Sequence, residues 1–321
     1  MELNSNINKV LSYRHPLTHG HSPEWASGWG QDRFGVWIEI CMADVVQKLR
    51  WVPPGQFLMG SPQNEAGRWE GEGPQHLVTL SQGYWLFDTP VIQALWQAVM
   101  GENPSEFQSP QRPVENVSWY DANAFIKRIN EKIPGLNLSL PTEAQWEYAC
   151  RATTEMATYL GELEIVGERY APLLDDVAWY GGNSGHGYEL EHGFDSSDWP
   201  DKQYEHNKAG TREVAQKLAN SWGLYDMLGN VWEWCRDGMR DYQGQAEQDP
   251  VGPNEDGIHY VVRGGSWLSR VRFLRVAYRG GYLPGSSGDI IGFRCARVQE
   301  STESRNGQGS AAARRPERGE I

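Results

Sequence analysis

Apolar and polar residues alternate through Phe34-Gly-Val-Trp-Ile-Glu-Ile and Val45-Val-Gln-Lys-Leu-Arg-Trp-Val, the period of half-buried strands. Pro53-Pro54-Gly55 closes the second run. The period then lengthens. From Thr89 to Gly101 the apolar positions recur at helical spacing, with Thr89 as a cap and Pro90 in the first helical position. Ser118 to Ile133 predicts a second helix, capped by Ser118 with Asp121 three residues on and stopped by Pro134-Gly135. A third, shorter helix should follow Pro141-Thr142. Beyond Arg151, glycine punctuates loops and short strands. Trp232 and Trp234 flank Glu233, so a strand there puts both rings on one face, expected to be the core face.

The two ends carry no such pattern. His15, His19 and His21 sit beside Pro16 and Gly20, which reads as a mobile arm over residues 1–23, with one domain over 24–298. After Arg297 the chain is Ser, Glu, Arg, Gly and Ala with few apolar side chains, so 299–321 should be a disordered tail. Hydrophobic residues are only 39% of the chain, but 12% are aromatic, including 15 Trp, which predicts a core of large rings. With 36 Gly and 18 Pro, a helical bundle is excluded. A net charge of -13 argues against nucleic acid and anionic membranes as partners, since both need a cationic footprint. No signal-like or membrane-spanning apolar run is present, so a cytoplasmic monomer is expected. Cys41, Cys150, Cys235 and Cys295 have no CxxC spacing, and neither a zinc cage nor a disulfide scaffold is legible.

Five segments in order carry more information than any one of them: Pro54-Gly-Gln-Phe-Leu-Met-Gly-Ser61, Pro113-Val-Glu-Asn-Val-Ser-Trp119, Leu140-Pro-Thr-Glu-Ala-Gln-Trp-Glu-Tyr148, Gly223-Leu-Tyr-Asp-Met-Leu-Gly-Asn-Val-Trp-Glu-Trp234, and Arg263-Gly-Gly-Ser-Trp267 with Gly292-Phe-Arg-Cys-Ala296. Together they resemble the sulfatase-modifying-factor family, which includes the formylglycine-generating enzyme. The resemblance implies an α+β, C-type-lectin-like domain with two main helices, small antiparallel sheets and much irregular structure. It also implies a copper(I) site of two cysteines just after the Gly-Gly-Ser-aromatic motif. Those positions are Ser269 and Leu274 here, neither of which can replace a thiolate, so no copper is expected. A calcium site is implied at Asp226 with the carbonyls of Met227, Gly229 and Val231, a hard-oxygen set; a tight turn with Asp226 bonded to its own backbone explains the same residues. Cys150 and Cys295 occupy positions that are disulfide-bonded in secreted relatives, so their sulfurs should be close, bonded or reduced. His186, His192 and His206 among Glu189, Glu191, Asp195 and Asp198 read as a solvated acidic loop, and His259 as an exposed loop residue.

Other members of the family are variable proteins of diversity-generating retroelements, whose diversified stretch lies between the Gly-Gly-Ser-Trp and Gly-Phe-Arg motifs. Adenine-directed mutation of Asn codons cannot yield Lys, Glu, Gln, Met or Trp, and all five are absent from 268–290. The excess of Tyr, Ser, Gly and Arg there suits a recognition surface. The resemblance therefore implies a non-catalytic ligand-binding protein. Its displayed residues would be Leu268, Ser269, Arg270, Arg272, Phe273, Tyr282, Leu283, Ser286, Ser287 and Asp289. Trp267, Arg275, Tyr278, Phe293 and Arg294 would form the frame. The partner is a protein, peptide or carbohydrate, and an oxidoreductase or other enzyme on the same fold is the alternative.

Overall fold

The computed structural model describes Leu17, residues 20–255 and residues 257–298. The expected tail over 299–321 lies outside the described residues, as does the expected arm apart from Leu17 and residues 20–23. Strands β1 (Gly28–Asp32), β2 (Gly35–Met42), β3 (Val45–Val52), β4 (Gly55–Met59), β5 (His76–Leu80) and β6 (Tyr84–Phe87) precede helices α1 (Gln93–Met100), α2 (Trp119–Lys132), α3 (Glu143–Arg151) and the single turn α4 (Leu174–Val177). Short strands β7 (Ala178–Trp179), β8 (Phe194–Asp195), β9 (Lys208–Ala209) and β10 (Leu228–Gly229) lead to β11 (Trp232–Gly238), β12 (Glu247–Gln248), β13 (Tyr260–Arg263), β14 (Arg279–Tyr282), β15 (Ile291–Gly292) and β16 (Ala296–Val298). No helix among the described residues is long and apolar enough to cross a membrane.

Two sheets organise the molecule. The first runs β1-β2-β3-β6-β16 and is antiparallel throughout. The second, β14-β13-β11-β15, carries the segment of interest. Three short pairings are parallel rather than antiparallel: β10 with β7, β12 with β5, and β11 with β15. The α+β expectation therefore holds, with this mixture of strand directions added.

Side-chain alternation in β6 divides the core. Tyr84 and Leu86 join one hydrophobic cluster with Trp146, Tyr148 and Cys150 of α3. Trp85 and Phe87 join the other with Trp96, Phe125 and Phe293. In that second cluster Trp96 stacks on Phe125 with centroids 5.4 Å apart, and Phe293 meets both edge-on. The two cysteines that the resemblance pairs fall in different apolar clusters. Cys295 belongs to the Phe293 cluster and Cys150 to the Trp146 cluster, and both are free thiols. It is Ala296, one residue on, that faces the Cys150 side. A single residue of register moves a side chain to the opposite face of a sheet.

Helices α2 and α3 begin as their caps predict: Ser118 accepts from Asp121 N–H and Thr142 from Gln145 N–H, each completing a capping box. The first helix starts later than the Thr89-Pro90 pattern suggests. Val91 donates to the Phe293 carbonyl and accepts from Val114 N–H, so this stretch is extended and the helix begins at Gln93. Its left-handed Gly101 terminus is as expected. With eight residues against nine in α3, it is also the shorter of the two. Trp232 and Trp234 are both buried in the Phe293 cluster.

Candidate ligand-binding cleft

The cleft is built where β13 ends. Gly264 and Gly265 have φ of 92° and 79°, and a Cβ on Gly264 would sit 2.8 Å from the Met227 carbonyl, so only glycine makes this turn. The chain emerges at Ser266 and drives Trp267 into the core. Its ring packs edge-on to Phe107 at 5.2 Å and stacks on Trp199 at 6.1 Å, while its Nε1 donates to the Asp289 carbonyl at 2.9 Å. That bond closes the two ends of the 268–290 segment onto each other.

Between these ends the segment has little regular structure, and buried arginines hold it. Arg275 donates to Glu65 at 2.6 Å, to Glu72 at 2.7 Å and to the Gly67 carbonyl. Arg279 grips Glu143 through two bonds of 2.7 and 2.6 Å. Arg294 grips Glu233 in the same way, at 2.7 and 2.6 Å. Arg263 pairs with Glu147 and donates to the carbonyls of Val276 and Ala277. Burial alone would raise the Glu143 carboxyl, but Arg279 and Arg263 hold it below its ordinary value.

Over this frame lies a cleft of about 540 Å³, lined by Leu268, Ser269, Arg270, Phe273 and Tyr282 from the expected display set and by Arg169, Trp232, Ser266, Tyr278, Gly280 and Gly281. Arg270, Arg272, Leu283 and Ser287 are exposed; Leu268, Phe273, Tyr282, Ser286 and Asp289 are half-buried. Arg272, Leu283, Ser286 and Ser287 lie outside the cleft lining. Ser269 is a correction: it is buried, because its hydroxyl accepts the Ser266 N–H at 2.9 Å and lies 3.3 Å from the Ser266 hydroxyl. Leu274 is fully buried and packs against Gly265. The frame residues Trp267, Arg275, Phe293 and Arg294 are buried, and Tyr278 is half-buried. Arg169 had no signal in the sequence: it lies 99 positions before Leu268 and reaches the cleft only through the fold.

A second cleft, about 710 Å³, meets the same segment at Gly288 and Asp289 and is lined also by Glu106, Phe107, Glu191, His192 and Lys208. Beneath it, Glu115 accepts the Phe107 N–H at 2.9 Å, while its Oε2 is buried without a hydrogen-bond partner among the described residues. Burial pushes this carboxyl up to about 8. His206 bonds Ser196 at 2.7 Å, and burial pulls its imidazole down to about 4. His259 is exposed.

At the implied calcium position, Asp226 is a left-handed residue with φ of 52°. Its carboxylate accepts the Ala215 N–H at 2.7 Å and the Asn230 amide at 3.2 Å, and burial pushes it up to about 6. The Met227 carbonyl faces Gly264 and the Cys150 thiol, and the N–H groups of Gly229 and Asn230 bond the carbonyls of Gly264 and Trp179. Val231 is buried. Each Asp226 oxygen thus carries one hydrogen-bond donor, from Ala215 on one side and from the Asn230 amide on the other. Among the described residues, no group of three or more His, Cys, Asp or Glu is placed to hold a metal ion.

A family model described as the sulfatase-modifying factor enzyme 1-like domain matches residues 42–299. Over 256 residues the chain is 32% identical to the chaperone protein LppX of Paenibacillus barcinonensis, covering 68% of this chain and 81% of that protein. Over 313 residues it is 30% identical to the formylglycine-generating enzyme of Thermomonospora curvata, covering 79% and 94%. Among solved structures it is similar to Treponema denticola variable protein 1, with 28% identity, a TM-score of 0.64, and coverage of 82% and 99%.

Proposed function

The chain belongs to the sulfatase-modifying factor enzyme 1-like family, and from that membership we propose that it is a non-catalytic ligand-binding protein whose 268–290 segment is a variable recognition surface. One observation carries the reading. Of the side chains that face the cleft, Leu268, Phe273 and Tyr282 make no ion pair or side-chain hydrogen bond among the described residues and Arg270 meets only the exposed Glu168, whereas Arg275, Arg279 and Arg294 in and just beyond the same stretch are buried and bonded. A surface separable from its support can be diversified without loss of the fold. Similarity to Treponema denticola variable protein 1 supports this reading.

The second reading is an oxidoreductase, favoured by the match along 94% of the Thermomonospora curvata enzyme. The donor chemistry opposes it. Ser269 offers a hydroxyl already bonded to Ser266, and Leu274 offers no donor at all, so neither fits a copper(I) ion that needs soft ligands. Incubating the chain with copper(I), oxygen and a cysteine-containing peptide should yield no formylglycine beyond a protein-free control; formylglycine formed by the chain would reverse the assignment. For diversification, the DNA beside the gene should hold a near-repeat of codons 268–290 that differs at adenines, next to a reverse transcriptase gene. A locus without it would remove the variable part of the proposal.

A further inference from the structure

Arg169 differs from the arginines of the frame. It is buried and lines the cleft, yet its Nε and Nη1 are shut off from solvent with no hydrogen-bond partner among the described residues. Glu168 stands 3.7 Å from Nη1, beyond hydrogen-bond reach, and the same carboxylate lies 3.3 Å from Nε of the exposed Arg270. One half-exposed carboxylate thus faces two guanidinium groups. Burial, and then the Arg270 charge, draw the Arg169 pKa below its ordinary value. A buried donor left unmade is costly, so an acceptor that reaches this guanidinium through a small shift of its cover would be favoured.

The guanidinium is also held in place. Trp199 lies 4.8 Å from it, and Trp199 stacks in turn on the core residue Trp267. A Cβ on Gly181 would stand 2.9 Å from the Leu268 carbonyl and 3.0 Å from Arg169 Cδ and Nε, so the side chain runs close against this backbone. In the same lining, Phe273, Tyr278 and Tyr282 supply ring surface. A fixed planar fork beside aromatic walls suits a planar or tetrahedral oxyanion borne on an apolar or aromatic group.

We propose that the ligand of this cleft carries an oxyanion, a carboxylate or a phosphate, and that Arg169 receives it with Arg270 beside it. This rests on the reading of the cleft as the ligand site. The full chain is titrated with benzoate, phenyl phosphate and neutral benzamide, followed by tryptophan fluorescence, since Trp199 adjoins Arg169. At least one anion should bind roughly 10-fold tighter than benzamide, the scale of a charge-assisted pair. Which anion gains more identifies the oxyanion. Arg169→Met should abolish the preference, Arg270→Met should reduce it, and Glu168→Gln should tighten the anions while leaving benzamide unchanged. Melting temperatures check that each variant is folded, and Glu168→Gln keeps the test open if Arg169→Met is not. Anions that bind no tighter than benzamide, or a preference that survives Arg169→Met, overturn the inference. If Phe273→Ala and Tyr282→Ala still weaken all three probes, only the oxyanion subsite has failed. If those two changes affect no probe, the cleft is not the binding site and the functional reading fails with it.

Discussion

The arginines within and beside the 264–294 segment divide into two groups. Arg275, Arg279 and Arg294, with Arg263 just before them, point inward, and each meets a glutamate from a distant part of the chain. Arg270 and Arg272 point outward and are exposed. The residue type is the same and the spacing is only a few positions, yet the first group shapes the loop and the second lies at the surface, with Arg270 beside Glu168. Long-range ion pairs do here what a hydrogen-bonded ladder does in a sheet. A buried pair adds little net stability, because desolvation offsets much of its attraction. It does fix one loop shape, and the outer side chains are then released from that duty.

The largest effect is expected at Arg294. Arg294→Met leaves Glu233 buried without its two-point partner and should cost ~3–5 kcal/mol, read from urea unfolding. Arg294→Met combined with Glu233→Gln should recover part of that loss. A cost below ~1 kcal/mol, the range of an exposed pair, would show that the frame is not held as described. Trp267→Ala should fall in a similar range, ~3–5 kcal/mol for a core aromatic, because the ring packs on Phe107 and Trp199.

Much of this division could not be read in advance. The helix caps at Ser118 and Thr142 were legible because a capping box is local, contained in four residues. The family motifs located the cleft because the turn at Gly264-Gly265 tolerates no side chain. Thr89 misled because its capping signal is equally local, but an extended pairing of Val91 with Phe293 and Val114 replaced it. Ser269 carried no mark of its bond to Ser266. Arg169 and the glutamates that partner the frame lie too far along the chain for any pattern to connect them to the cleft.

Glu115 sharpens the contrast, because it is a frame carboxylate without an arginine. Its folded pKa of about 8 lies above the ordinary glutamate value, so the folded state holds the proton more tightly than the unfolded chain. That contribution is fully present below the unfolded pKa and is lost as pH rises through about 8. Asp88, Asp226 and Asp237, each near 6, change in the same sense at lower pH, so the range above them isolates Glu115. Glu115→Gln should therefore gain stability relative to the parent chain as pH increases from roughly 6.5 to 9. Parallel stability curves for the two proteins across that range would show that Glu115 stays ionised and is partnered in solution.

The smallest effects belong to the outward group, and they test the other half of the comparison. Arg272→Ser, Leu283→Ser and Ser287→Ala alter exposed side chains, and each should shift unfolding free energy by under ~0.5 kcal/mol. Tyr282 and Asp289 are half-buried and should lie somewhat higher, since Tyr282 meets Trp234 edge-on at 6.3 Å and burial raises the Asp289 carboxyl. Ser269→Ala should exceed the exposed set, because it strips the acceptor from the buried Ser266 N–H, a loss of ~1–3 kcal/mol. The resulting order is Ser287 and Arg272 below Tyr282 and Asp289, those below Ser269, and all below Trp267. That ranking follows burial and bonding rather than position in the segment. If Arg272→Ser or Tyr282→Ala lowered the melting temperature as far as Trp267→Ala does, the outer residues would be part of the support. The segment would then be one structural unit, and it could not vary independently of the fold.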